Sequence, residues 1–132
     1  MSTVRVFLTL APLVFVCWAS PASAADRMRP GQWVGTTTVG ARVFPNSSCV
    51  SQSDADAMNG DAKAVQTLLE KTIPPSICKI IDVKVSGGQV VYTAACGAQP
   101  PRIITTMYHG NSSEGSDSIG TKTEAKLTGA CK

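Results

Sequence analysis

Apolar and polar positions alternate with a period of two over much of the chain, and this alternation predicts strands. In "CKIIDVKV" (78–85), Ile81, Val83 and Val85 fall on one side and Asp82 and Lys84 on the other. "QVVYTAAC" (89–96) follows after Ser86-Gly87-Gly88, a hairpin signal. With Gly87-Gly88 as a two-residue turn, Val85 stands opposite Val90, Val83 opposite Tyr92 and Ile81 opposite Ala94, so the apolar faces coincide. A three-residue loop would oppose Val85 to Gln89 and waste Val90 and Tyr92. The last run, "TKTEAKLTGAC", alternates as well, with Lys122, Glu124 and Lys126 out and Thr123, Ala125, Leu127 and Cys131 in.

Three further runs read as strands. "QWVGTTTV" is rich in Thr and Val, and Gly40-Ala41 turns it into "RVFPNSSCV", where Pro45 points to an edge position or a bend. "RIITTMYH" follows Pro100-Pro101. The period changes to that of a helix only between Cys49 and Cys78. Ser53-Asp54-Ala55-Asp56 carries a capping pattern and Asn59-Gly60-Asp61 offers a second start. Beyond it Ala62, Val65, Leu68, Leu69 and Ile73 recur at helical spacing until Pro74-Pro75. "GNSSEGSDSIG" reads as a polar loop or weak hairpin. The expected fold is a mainly β domain with a helical insert, of about six or seven strands, in a small antiparallel meander or partly closed barrel.

Residues 1–24 carry a different pattern: a positive start in "MSTVR", an apolar run from Val6 to Trp18, and Ala22-Ser23-Ala24 at the end. This order predicts a secretory signal peptide cleaved after Ala24; the run is short for a membrane span. Cys17 follows Val16, a poor context for lipid attachment. Residues 25–132 would then form a single domain of 108 residues, with 11 basic and 9 acidic side chains interspersed along it. Its aromatics are only Trp33, Phe44, Tyr92 and Tyr108. Without a basic block or a row of stacking rings, nucleic acid is excluded as an expected partner.

The expected mature chain keeps Cys49, Cys78, Cys96 and Cys131, an even number in an exported chain of this size, which predicts two disulfides. Zinc would want closer spacing and a histidine nearby. Strand parity puts Cys96 and Cys131 on the inner face and Cys78 on the outer one, so the expected pairs are Cys49–Cys78 and Cys96–Cys131.

Few motifs suggest chemistry. Asp54-Ala-Asp56-Ala-Met58-Asn59-Gly60-Asp61 echoes a calcium loop but lacks the ligands and glycine at their required places, so helix capping explains it better. His109 is the only histidine; a catalytic role would need Ser112 or Ser113 and Asp117 beside it, without a nucleophile elbow. No phosphate loop or CxxC pair is present. No catalytic residue, metal or cofactor is assigned. Trp33, two residues after Gly31 in "MRPGQW", resembles the glycine–x–tryptophan of lipocalin-like first strands, where the indole plugs one end of a barrel. Trp33, Tyr92 and Tyr108 are accordingly the expected ligand-binding residues.

Nearly the whole expected mature chain resembles a bacterial family of small exported proteins known only as a domain of unknown function, number 3617. The resemblance rests on Arg29-Pro30-Gly31-Gln32-Trp33, Cys49 before a helical segment, Cys78-Lys79-Ile80 with Asp82, Cys96, and the closing Gly129-Ala130-Cys131. Val34 and Leu127-Thr128 stand where members often carry Glu and Arg. The resemblance implies an envelope location and a disulfide-held β fold, but no activity. The expected protein is a periplasmic, or alternatively secreted, monomer without a membrane span after cleavage. It is expected to be a non-enzymatic module for a small apolar or amphipathic ligand. The other reading is an interaction or hydrolase-inhibitor module that offers loop 109–118 to an envelope protein.

Overall fold

The computed structural model describes residues 26–132, so the expected leader over 1–24, with Cys17, lies outside the described residues. Seven strands follow the alternation: β1 (Gly31–Val39), β2 (Arg42–Val50), β3 (Lys79–Ser86), β4 (Gln89–Ala95), β5 (Arg102–Tyr108), β6 (Ser112–Asp117) and β7 (Lys122–Gly129). Two helices, α1 (Gln52–Met58) and α2 (Ala62–Thr72), lie between β2 and β3. All strands are antiparallel in one sheet of order β2-β1-β7-β6-β5-β4-β3. The stretch from β3 to β7 is thus a plain meander, to which the β1–β2 hairpin is added on the far side of β7.

The sheet is not closed. Its edges are β2 and β3, which corrects the barrel half of the expectation. The physical reason lies in the helical insert, which connects those two edges. Six gaps of about 4.8 Å separate them along the sheet, no ladder joins them, and the insert that links them packs over the β3 side. Pro45 sits opposite Thr36 on edge strand β2. Val39 and Arg42 close the two-residue turn as a hydrogen-bonded pair. Alternation then points the backbone nitrogen of Pro45 away from β1, where proline costs no ladder bond and interrupts the free edge.

Ser51 caps α1, its hydroxyl accepting from Asp54 N–H at 3.1 Å, two residues before the expected start at Ser53. Asp61 caps α2 by accepting from Ala64 N–H at 2.8 Å. Met58 and Val65 from the insert pack with Val90, joined by Leu68, Leu69, Val83, Val85, Tyr92 and Tyr108. The covered half of the inner face is therefore the β3–β4–β5 side.

The disulfides are Cys49–Cys131 and Cys78–Cys96, which corrects both expected pairs. Each error traces to one β-bulge. The hairpin begins as expected, with Ser86 opposite Gln89 and Val85 opposite Val90, but the register shifts between Lys84 and Ile81. Asp82, at φ 54°, stands in the left-handed region within that shift. Ile80, rather than Ile81, then opposes Ala94, and both are buried. The reversed parity carries Cys78 to the side of Cys96. In β7, Leu127 opposes Trp33 whereas Gly129 opposes Gln32, which leaves Thr128 as the extra residue. That bulge turns Gly129, and with it Cys131, towards the face shared by Gln32 and Cys49. An added residue per bulge inverts every later side chain on its strand.

Candidate functional site

Residues opposite one another in an antiparallel register share a face. Tyr92, Ile104 and Asp117 form one such row across β4, β5 and β6, while Val90, Thr106, Gly115 and Thr123 form the next. A Cβ on Gly115 would lie 2.7 Å from the Thr123 hydroxyl and 3.0 Å from that of Thr106. The glycine therefore lets three strands approach closely there. Beside it a recess of about 200 Å³ is lined by Tyr92, Ile104, Ser116, Asp117, Thr121 and Thr123. It lies on the half of the inner face towards the β6–β7 turn, and no residue of the insert lines it.

Asp117 gives this recess its one carboxylate. Burial alone would raise its pKa, but the bonds from Thr121, the Ile119 N–H and the charge of Arg102 outweigh that and hold it below the usual carboxylate range. Oδ1 accepts from the backbone N–H groups of Ile119 and Thr121 at 3.0 and 2.9 Å. The carboxylate is thus occupied in shaping the turn. The Tyr92 hydroxyl is shifted upward by burial, so its ring offers a neutral wall.

Of the three expected ligand-binding aromatics, Tyr92 and Tyr108 pack on the same core cluster, and Trp33 stands apart from it. Trp33 is 2% exposed, beside Leu127 in the register, and its Nε1 donates to the Arg29 carbonyl at 2.9 Å. Gly31, at φ 136°, permits the close approach to Gly129 that seals this end of the sheet. Tyr108 packs against the core, where burial, with a smaller push from Tyr92, raises its pKa to about 12. Tyr92 alone of the three lines the recess.

His109 lines one open hollow with Ser112 and Ser113, but the acid of the catalytic reading, Asp117, is not among the residues of that hollow. The His109 Nε2 lies 3.5 Å from Glu114, both side chains are exposed, and its backbone N–H donates to the Ser112 carbonyl. Asp117 stands at the opposite end of β6, tied to its turn. Residues 112–117, expected as a polar loop or weak hairpin, are strand β6, hairpinned to β7 in the middle of the sheet. Polar side chains obscured that strand, yet Ser113, Gly115 and Asp117 still alternate with the more exposed Glu114 and Ser116. Of the 109–118 stretch that an inhibitor would present, 109–111 and Ser118 lie outside the strand. Among the described residues, no three His, Cys, Asp or Glu side chains are placed to hold a metal ion.

Arg27 escaped the sequence reading. It is 4% exposed and joins three segments, donating from Nη1 to the carbonyls of Met58 and Gly60, both at 2.9 Å, and from Nε to that of Gly87 at 2.6 Å. The Asn59 side chain acts like a strand partner for the neighbouring backbone: Oδ1 accepts from Arg27 and Met28 N–H, and Nδ2 donates to the Met28 carbonyl. The N-terminal segment thus locks the insert to the β3–β4 turn. An isolated arginine in a polar stretch leaves no periodic signal for this role.

Residues 28–131 match the family model described as protein of unknown function, DUF3617. The chain belongs to this family. No curated protein and no solved structure matches it. In this DUF3617 chain, the matched region runs from the strap at Met28, bridged to Gly110, to the last cysteine. Arg27 precedes it by one residue. The two disulfides point to an oxidising compartment, and no helix among the described residues is long and apolar enough to cross a membrane.

Proposed function

We propose that this DUF3617 protein is a non-enzymatic binding module, periplasmic in location, for a small amphipathic ligand whose apolar end enters the recess at Tyr92, Ile104 and Thr123. The observation that supports this reading is the incomplete cover of the inner face: the insert fills the β3–β4–β5 side of the core and leaves the recess unfilled. At about 200 Å³ it is smaller than the roughly 300–1,000 Å³ that encloses a drug-sized ligand. It suits one end of such a molecule, with the remainder lying along Thr123, Ala125 and Gly35 on the open part of the face.

The test is binding of a fluorescent fatty acid to the protein and to Thr123→Leu, a change that fills the recess from its rim. Saturable binding by the wild type, weakened at least tenfold in the variant while the melting temperature stays within a few degrees, is the expected result. Absence of saturable binding by the wild type, or equal binding by both proteins, would refute it.

A further inference from the structure

The register divides the sheet into two unlike ends. At one end lie the N-terminal strap, buried Trp33 and Arg27, and the Cys49–Cys131 bond. At the other lie the β1–β2 turn, the β6–β7 turn, the β4–β5 loop and the segment that enters β3. Among the described residues seven large apolar side chains are exposed, and six of them stand at this second end. Val39, Val43 and Phe44 come from the β1–β2 hairpin, Ile119 from the β6–β7 turn, and Ile77 and Ile103 from the starts of β3 and β5. They are not marginal cases: Ile77 is 63%, and Val43 and Ile119 are each 60% exposed. Gly40, Gly97 and Gly120 make the turns of this end at positive φ, each facing open space.

Charge follows the same division. The segments 38–44, 74–80, 96–103 and 117–122 contain Arg42, Lys79, Arg102 and Lys122 against one acidic residue, Asp117, whose side chain is 8% exposed. Arg102 is partly engaged by Asp117 at 3.9 Å, while Arg42, Lys79 and Lys122 are exposed. Apolar tips within a basic surround match a surface that is anionic outside and apolar beneath, which is the physical description of an anionic lipid leaflet. A second copy fits poorly, because two such ends brought together would oppose like charges.

We propose that this end of the sheet docks on an anionic lipid bilayer, with the β1–β2 and β6–β7 turns entering the headgroup layer and Arg42, Lys79 and Lys122 lying against phosphates. The inference is independent of any ligand in the recess, although the recess lies towards this same end.

The test is co-sedimentation of the chain, as recovered from its host and with its first residue fixed by mass spectrometry, with two kinds of vesicle. One contains phosphatidylglycerol with phosphatidylcholine, and the other phosphatidylcholine alone. Expected is binding to the first at least tenfold tighter than to the second, weakening as salt is raised. Arg42→Ser and Lys122→Ser should each weaken it about fivefold, the worth of one basic residue near an anionic surface. Phe44→Ser with Ile119→Ser should weaken it at least tenfold. Lys63→Ser, on α2, should leave it unchanged. All of these side chains are exposed, so circular dichroism and melting should match the wild type. Equal binding to both vesicles, failure to bind either, or binding that ignores the end variants would overturn the proposal. So would self-association through the apolar tips in the absence of lipid.

Discussion

Arg27 offers the sharpest test of how the molecule is held together. Its guanidinium is buried without a carboxylate among the ion pairs of the described residues, and its charge is met by the carbonyls of Met58, Gly60 and Gly87. A hydrogen bond to a charged group contributes about 1.5–3 kcal/mol net, so three independent ones would give roughly 4–9 kcal/mol. Desolvation of the guanidinium offsets several kcal/mol of this. Water can also reach the turn carbonyls once the side chain is gone. The expected cost of Arg27→Ala is therefore about 3 kcal/mol, a large share of the roughly 5–15 kcal/mol that holds a domain folded. Urea titration with the disulfides intact should read it directly. For a slope of about 1–2 kcal/mol per molar, the midpoint should fall by about 1.5–3 M. Arg27→Lys keeps the charge but not the fork, and should lose about half as much. A midpoint within about 0.3 M of the wild type for Arg27→Ala would show that the strap is ornamental and the insert is held by packing alone.

Two other substitutions probe the sheet. Tyr108, with its pKa pushed up to about 12 by burial, stays neutral in the folded chain where the unfolded chain ionises near 10; its contribution is complete below pH 10 and is lost as pH rises towards 12. Between pH 9 and 11 the wild type should therefore lose about 1 kcal/mol relative to Tyr108→Phe, read by rapid urea unfolding; a constant difference would refute this. Glu114 and Glu124 stand directly opposite each other on the outer face, and like charges in that arrangement are destabilising. Glu114→Lys should raise stability by about 0.5–1 kcal/mol at low salt, and an unchanged or lower melting temperature would count against the register argument.

Much of this fold was legible because burial and alternation agree. The β7 run shows it plainly, with Thr123, Ala125 and Leu127 more buried than Lys122, Glu124 and Lys126. The two-residue turn at Gly87-Gly88 and the edge position of Pro45 followed from backbone chemistry, which is local. What alternation could not reveal was its own interruption. The bulges at Asp82 and Thr128 are each single-residue events without a composition signal, and both disulfide pairs depended on them. Strand β6 was hidden for another reason: Ser, Gly and Asp line its inner side because neighbouring strands crowd Gly115, so the strand shows little apolar content. Of the site, Tyr92 was visible as an inward aromatic, whereas Ile104, Thr121 and Thr123 became its neighbours only through the strand order.

The corrected disulfide pattern also bears on how the chain is made. During synthesis the cysteines appear in the order 49, 78, 96, 131, so Cys49 and Cys78 are the first two thiols present together. The native bonds skip that pair: Cys78–Cys96 closes a span of 18 residues, and Cys49–Cys131 one of 82 that cannot close until Cys131 has been made. Strand β1 must likewise wait, unpaired on one side, for β7. A Cys49–Cys78 bond made early would have to be exchanged before either native bond could close, and the Cys49–Cys131 bond fastens the end of β2 to the segment after β7.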